Sequence, residues 1–194
     1  SKEQLEEDYL VRSDKASLCM ETAQKENEIL ATQDSKALNV YVGVPFCPSR
    51  CAYCSFVSQD INHHLNKLPL YADALCSEIE IASKKMPEVS TLYLGGGTPT
   101  VFGDKEFEKV IGSFRKYLSF EDNAEITVEA GRPDTINEYK LQVMKDAGIR
   151  RICINPQTMS DETLRRFNRK HTVKDVCDVF NLARKLGFDN INMD

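Results

Sequence analysis

Three closely spaced cysteines are the residues of this sequence best suited to chemistry. Cys47, Cys51 and Cys54 are separated by three and then two residues. This spacing lets one loop turn all three sulfur atoms toward a common centre, as in thiolate-held iron–sulfur clusters, and three thiolates on a four-iron cluster leave one iron without a protein ligand. A zinc site would need a fourth ligand or a water, with His63 and His64 the nearest histidines. Three unrelated thiols in a loop remain the third interpretation.

Alternating strands and helices surround this loop. Short apolar runs predict five buried strands, at residues 39–44, 91–94, 125–130, 150–155 and 188–193. Amphipathic stretches between them predict four helices, with start signals at Pro69, at Asp104 as an N-cap, at the capping-box pattern Thr135-x-x-Glu138 and after Thr172. The alternation implies a parallel sheet with right-handed crossovers, either a partial barrel or an open α/β sheet.

The predicted elements divide the chain into a helical segment at 1–38 and an α/β domain at 39–194. In such a domain, ligands bind at the carboxyl ends of the strands. The loop at 45–68 follows the first strand and is far longer than the usual ~4 to 6 residues, which is typical of a functional loop. The site is therefore expected where this loop meets the loops after the other strands.

Composition limits the class of protein. The chain has 194 residues, too few for a complete eight-stranded barrel of about 250. It begins with Ser rather than Met and stops at 191–194 directly after an apparent strand, so we interpret it as a piece of a longer protein. The absence of ~20 consecutive apolar residues and the acidic N-terminus predict no membrane span and no secretory signal, hence a cytoplasmic location. A formal charge of -5 disfavours nucleic-acid partners.

The chain has seven cysteines, an odd number that does not suit a disulfide framework. The four outside the loop are expected to be small buried side chains: Cys19, Cys76, Cys153 and Cys177.

Several sequence strings together resemble a known superfamily. The cysteine spacing, with an aromatic residue before the last cysteine and a position after the first strand, resembles the radical S-adenosylmethionine (SAM) superfamily. The string Tyr41-Val-Gly-Val-Pro-Phe-Cys47 is similar to the oxygen-independent coproporphyrinogen III oxidase group. Later strings agree with that group: Gly95-Gly-Gly-Thr-Pro-Thr100, 125–129, 154–157 and 192–194. The string at 129–134, Glu-Ala-Gly-Arg-Pro-Asp, is most similar to the HemZ-type coproporphyrinogen dehydrogenase branch.

The resemblance implies a fold and two cofactors. The fold would be an α/β, partial parallel β/α barrel of the radical SAM type, with an N-terminal helical lead-in and truncated after its fifth strand. Cys47, Cys51 and Cys54 would hold a [4Fe-4S] cluster whose open iron takes the amino and carboxylate groups of S-adenosyl-L-methionine. An electron from a reductant would then cleave the sulfonium to methionine and a 5'-deoxyadenosyl radical, so that the protein supplies position and electrostatics to the cofactor.

The resemblance also implies contacts to S-adenosylmethionine. These residues lie in the cysteine loop or near the ends of predicted strands, and they are Tyr41, Tyr53, Gly95, Gly96, Gly97, Thr98, Glu129, Gln157, Arg169 and Asp194. Judged by residue type alone, each has an ordinary alternative. A strand tyrosine packs in a core, three glycines make a tight turn, and an acidic residue pairs on a surface.

One position departs from the family pattern and leaves the reaction open. The decarboxylating oxidases carry a fourth cysteine two residues after the third, and Phe56 stands there in this chain, as in the family's haem chaperones. The leading hypothesis is oxidative decarboxylation of coproporphyrinogen III to protoporphyrinogen IX in haem biosynthesis. The alternatives are a haem-binding chaperone and a radical SAM enzyme with a non-tetrapyrrole substrate. Because a porphyrinogen substrate would need residues beyond this chain, the chain alone is expected to be inactive.

Overall fold

The computed structural model describes residues 1–31 and 36–194, and the chain divides into two compact units, Ser1–Ala37 and Leu38–Asp194. The first unit contains α1 (Lys2–Glu7) and α2 (Ser13–Ala31). Two helices thus occupy much of the segment 1–38 that the sequence analysis expects to be helical, and Leu10 lies between them at a φ of 53°. The part of that prediction at 32–35 lies outside the described residues, and Leu38 already begins a strand.

The second unit alternates strands with helices. Its strands are β1 (Leu38–Val44), β2 (Phe46–Cys47), β3 (Gln59–Asp60), β4 (Val89–Gly96), β5 (Phe120–Gly131), β6 (Arg151–Ile154) and β7 (Asn190–Met193). Its helices are α3 (Leu68–Ser83), α4 (Asp104–Tyr117), α5 (Glu138–Asp146), α6 (Asp161–Arg166) and α7 (Val173–Lys185). Five strands form one parallel sheet in the order β1-β4-β5-β6-β7, while β2 and β3 pair with each other. The expected partial α/β barrel is confirmed.

The two faces of the five-stranded sheet differ in polarity because side chains alternate along each strand. One face is apolar and buried, with Val44, Leu94 and Ile154 fully enclosed, and it forms the core together with buried side chains of the helices. On the other face, the register aligns Tyr41 with Tyr93. That face also carries Glu129, which is aligned with Cys153. The polar face therefore collects groups that can react or hydrogen-bond.

Two predicted helix starts were wrong. The N-cap of α4 is Gly103, and Asp104 is the first helical residue. The N-cap of α5 is Asn137, whose side chain accepts from the amide of Lys140. Thr135 instead closes a short 3₁₀ helix and donates its hydroxyl to the Arg132 carbonyl.

The start of α7 is as expected, since Thr172 forms a capping box with Asp175. Cys76 and Cys153 are buried as predicted, whereas Cys19 and Cys177 are exposed because they lie on the solvent sides of α2 and α7. Within residues 1–31 and 36–194, we find no helix with the length and apolar character that crossing a bilayer requires.

Candidate functional site

The cysteine loop is fastened at both ends. At its start, β2 pairs with β3, which aligns Cys47 with Asp60. Further along, the Ser49 hydroxyl donates to the carbonyl of Asn168 at 2.8 Å, and the Asn168 side-chain amide donates to the carbonyl of Arg50 at 2.9 Å. Asn168 has a φ of 60° just after α6. The turn after α6 thus holds the cysteine loop through two hydrogen bonds.

The three cysteines of this loop line a cavity of about 200 Å³ at the carboxyl end of the sheet. Each is partly exposed. Among the described residues, no three His, Cys, Asp or Glu side chains converge closely enough to bind a single metal ion. Three separate thiols on one cavity are what a four-iron cluster would need, with each thiolate on a different iron.

Cys51 receives two cationic donors. The Arg132 guanidinium donates to Cys51 Sγ at 3.8 Å, and the Arg169 guanidinium donates to the same sulfur at 3.9 Å. Both arginines are almost fully buried. Because donors of positive charge stabilise a thiolate, this pair suits a sulfur that binds metal as an anion.

Asp134 holds one of these arginines. Its two carboxylate oxygens accept from Nε and one Nη of Arg132 at 3.1 and 3.2 Å. Nδ1 of the buried His171 lies 3.6 Å from the same carboxylate. Burial alone would raise the pKa of the Asp134 carboxyl, but His171 and Arg132 outweigh it and lower that pKa to about 2. The carboxylate is therefore ionised at neutral pH.

The glycine turn after β4 packs directly against the cysteine loop. The Gly97 amide donates to the Val44 carbonyl at 2.7 Å. A Cβ on Gly97 would lie 2.6 Å from the Phe46 carbonyl oxygen and 2.9 Å from Cys47 Sγ, so only glycine fits there. The hydroxyl of Thr98 donates to Cys47 Sγ at 3.6 Å. The turn leaves backbone atoms, rather than side chains, facing the cavity.

Glu129 enters the cavity from the end of β5. Its Oε1 accepts from the Tyr93 hydroxyl at 2.7 Å. A Cβ on Gly95 would lie 3.1 Å from its Oε2. Burial and the bond to Glu129 raise the pKa of the Tyr93 phenol, so this group stays protonated and remains a donor. Tyr93 thereby fixes the orientation of the carboxylate.

A chain of hydrogen bonds closes the side of the cavity nearest β6. The Tyr53 hydroxyl donates to Gln157 Oε1 at 2.7 Å. The backbone amide and the side-chain amide of Gln157 both donate to the Asp194 carboxylate. Gln157 has a φ of 67°, a conformation that costs a non-glycine residue energy and is common at functional sites. Arg169 donates to the Tyr53 hydroxyl and to the Asn155 carbonyl.

Most of the residues implied by the resemblance meet at this cavity. Those that line it are Cys47, Cys51, Cys54, Tyr53, Gly96, Gly97, Thr98, Glu129, Gln157 and Arg169. Three lie outside its lining. Gly95 is buried beneath Tyr93 and Glu129, and Asp194 acts on the cavity through Gln157. Tyr41 is 60% exposed and stacks on Tyr93 with ring centroids 5.9 Å apart.

Some residues of the site were missed by the sequence analysis. Gly131, Arg132 and Asn155 also line the cavity, and Tyr93 orients Glu129. Arg132 lies in the string 129–134 that carries the resemblance to the HemZ branch, but nothing in that string indicates a contact with Cys51. No sequence signal pointed to Tyr93 beyond its place on a strand just before the glycines.

Comparison with known proteins adds a family and several relatives. The family model described as the Radical SAM superfamily matches residues 41–194. An oxygen-independent coproporphyrinogen-III oxidase-like protein, HemZ of Bacillus subtilis, is 37% identical over an alignment of 207 residues, which covers 100% of this chain and 41% of HemZ. The heme chaperone HemW of Bacillus subtilis is 35% identical over 164 residues, 80% of this chain and 41% of HemW. The chain thus spans about two fifths of these relatives.

Solved structures agree with the fold. Coproporphyrinogen III oxidase (HemN) from Escherichia coli, a radical SAM enzyme, matches with a TM-score of 0.72 and 29% identity over 81% of this chain and 36% of HemN. The AdoMet-bound structure of anSMEcpe matches with a TM-score of 0.56 and 17% identity, over 80% of this chain and 43% of that one. The second likeness concerns the fold alone.

Proposed function

Because the chain belongs to the radical SAM superfamily, which implies a four-iron cluster and S-adenosylmethionine, we propose that its cavity binds both. Cys47, Cys51 and Cys54 would hold the cluster. The observation that carries this proposal is the single cavity that unites the three thiols with the glycine turn, Glu129 and Gln157. When bound and reduced by one electron, the two cofactors supply a 5'-deoxyadenosyl radical.

The residues of the chain provide binding and orientation. Thr98 donates to one cluster thiol, and two buried arginines donate to another. The glycine turn lets a ligand approach the backbone closely. Glu129, aimed by Tyr93, is placed to accept hydrogen bonds from ribose hydroxyls or an amino group. Gln157 and Arg169 would bind the nucleoside from the opposite side.

For the whole protein, we propose oxidative decarboxylation of coproporphyrinogen III. HemZ aligns with the full chain at 37% identity, and HemN shares the fold at 29% identity. A propionate of the substrate would lose a hydrogen atom from its β-carbon to the radical that the cofactors supply, and then carbon dioxide and one electron, to become a vinyl group. An electron acceptor must take up that electron.

A haem chaperone is the second candidate, and a specific residue favours it. Phe56 occupies the position of the oxidases' fourth cysteine, and heme chaperones from Bacillus subtilis and Haemophilus influenzae are 35% and 32% identical to this chain. Anaerobic assays of a longer protein that includes this chain separate the two. Carbon dioxide formed in step with 5'-deoxyadenosine supports the enzyme, whereas stoichiometric haem binding without carbon dioxide supports the chaperone.

Cofactor binding is tested on this chain directly. After anaerobic reconstitution we expect about four irons and four sulfides per chain, and an electron paramagnetic resonance spectrum that changes when S-adenosylmethionine is added. Replacing Cys47, Cys51 or Cys54 by alanine should abolish the cluster. Cys177→Ala, which removes an exposed thiol on α7, should leave it unchanged. About one zinc per chain, or a spectrum that ignores the nucleoside, would contradict the proposal.

A further inference from the structure

Arg132 spans the gap between the sheet and the cysteine loop. It follows β5, and its side chain is only 4% exposed. One of its Nη atoms donates to the Ser49 hydroxyl at 3.1 Å and to Cys51 Sγ at 3.8 Å. The rest of the guanidinium faces Asp134. One planar group thus joins the loop, a thiol and a carboxylate.

Asp134 and His171 fix this arginine in place. The bidentate pair with Asp134 sets the plane of the guanidinium, which a single contact would not do. The imidazole of His171, fully buried beside the start of α7, lies against the same carboxylate. The donor that reaches Cys51 is therefore held by Asp134 and by the Ser49 hydroxyl, and it does not need to reorganise when the thiol becomes a metal ligand.

We propose that Arg132, held by Asp134 and His171, is a positioning residue that fixes Cys51 and raises the reduction potential of the cluster it binds. This inference rests on the proposed cluster site. Hydrogen bonds to the sulfur atoms of an iron–sulfur cluster are among the factors that set its potential. A buried cation beside one thiolate favours the reduced cluster, because that state carries one more negative charge.

The inference is tested by the reduction potential of the reconstituted cluster, from an anaerobic redox titration followed by electron paramagnetic resonance. In Arg132→Met we expect the equilibrium constant for one-electron reduction to fall roughly tenfold, a shift of ~59 mV to lower potential. Arg50→Met is the matched control. It removes the same charge beside Cys51 in the sequence, but Arg50 is exposed and its guanidinium donates to the carbonyl of Ser58 rather than to a thiol.

A second measurement needs no cluster. In the metal-free protein, backbone amides at 49–52 should exchange hydrogen faster in Arg132→Met than in Arg50→Met, since the loop has lost its buried support. Faster exchange with an unchanged reduction potential would mean that Arg132 supports the loop but does not affect the potential of the cluster. The reduction potential is therefore the deciding measurement. Equal potentials in the two variants would overturn the inference.

If Arg132→Met does not fold, Arg132→Lys decides. Lysine keeps the charge and the ion pair with Asp134 but lacks the planar fork of the guanidinium. The reduction potential of the cluster in Arg132→Lys should therefore lie below that of the wild-type chain. A wild-type potential would overturn the inference. Failure of the wild-type chain to assemble a four-iron cluster is a different result. It would contradict the proposed function itself, and the inference with it.

Discussion

Gly97→Ala should displace the cysteine loop without touching any cysteine. The new Cβ would lie 2.6 Å from the Phe46 carbonyl oxygen, whereas ordinary van der Waals contact begins at 3.4 Å. The backbone must therefore retreat by about 0.8 Å, and β2 cannot do so freely because it pairs with β3. Overpacking of this kind costs about 1 to 3 kcal/mol. For a domain of this size that corresponds to a fall in Tm of about 2 to 12 °C.

Calorimetry of the metal-free protein and iron analysis after reconstitution measure the two effects. We expect a lower Tm and fewer irons per chain in Gly97→Ala. Gly112→Ala is the control, because no atom lies within 4 Å of its Cβ position on the exposed side of α4. That variant should gain about 1 kcal/mol from helix propensity. A wild-type Tm together with full iron content in Gly97→Ala would refute the close packing of turn and loop.

Two further outcomes follow from hydrogen bonds of the site. Tyr93→Phe should weaken the binding of S-adenosylmethionine about fivefold, as measured by calorimetric titration, because Glu129 loses the donor that orients it. Tyr139→Phe is the control, because it removes a similar hydrogen bond to Glu108 outside the site, and it should leave the affinity unchanged. Because the pKa of Asp134 falls from 3.8 to about 2 on folding, its stabilisation is present above about pH 4 and is lost as the pH falls toward 2. We expect the free energy of unfolding in urea to fall between pH 5 and pH 2.5 by about 1 to 2 kcal/mol more in the wild-type protein than in Asp134→Asn. An equal fall in both proteins would contradict the ionised Asp134 pair.

Local patterns predicted the strands well and the helix starts unevenly. Buried parallel strands leave continuous apolar runs, which is why β1 and β4 were located within one or two residues. Thr172 caps α7 through bonds to its own neighbours in sequence. The Thr135 hydroxyl is instead engaged by Thr100 and by the Arg132 carbonyl. The bond to Arg132 belongs to the short 3₁₀ helix, and the contact with Thr100 depends on tertiary packing, so the local capping pattern did not predict either.

The same distinction applies to the site. Cys47, Cys51 and Cys54 lie within one short loop, so their spacing carries the prediction. Contacts between distant parts of the chain leave no such trace. Arg132 reaches Cys51 across 81 positions, and Tyr93 reaches Glu129 across 36. Only the register of neighbouring strands and the docking of the loop bring these pairs together.

The hydrogen-bonded series from Tyr53 through Gln157 to Asp194 joins three segments that are far apart in sequence. A cofactor that orders one of these segments also restrains the other two, so the first cofactor to bind loses most of the conformational entropy. Binding of the cluster at the three thiols should therefore strengthen the affinity for S-adenosylmethionine. By thermodynamic reciprocity, the nucleoside should strengthen binding of the cluster by the same factor.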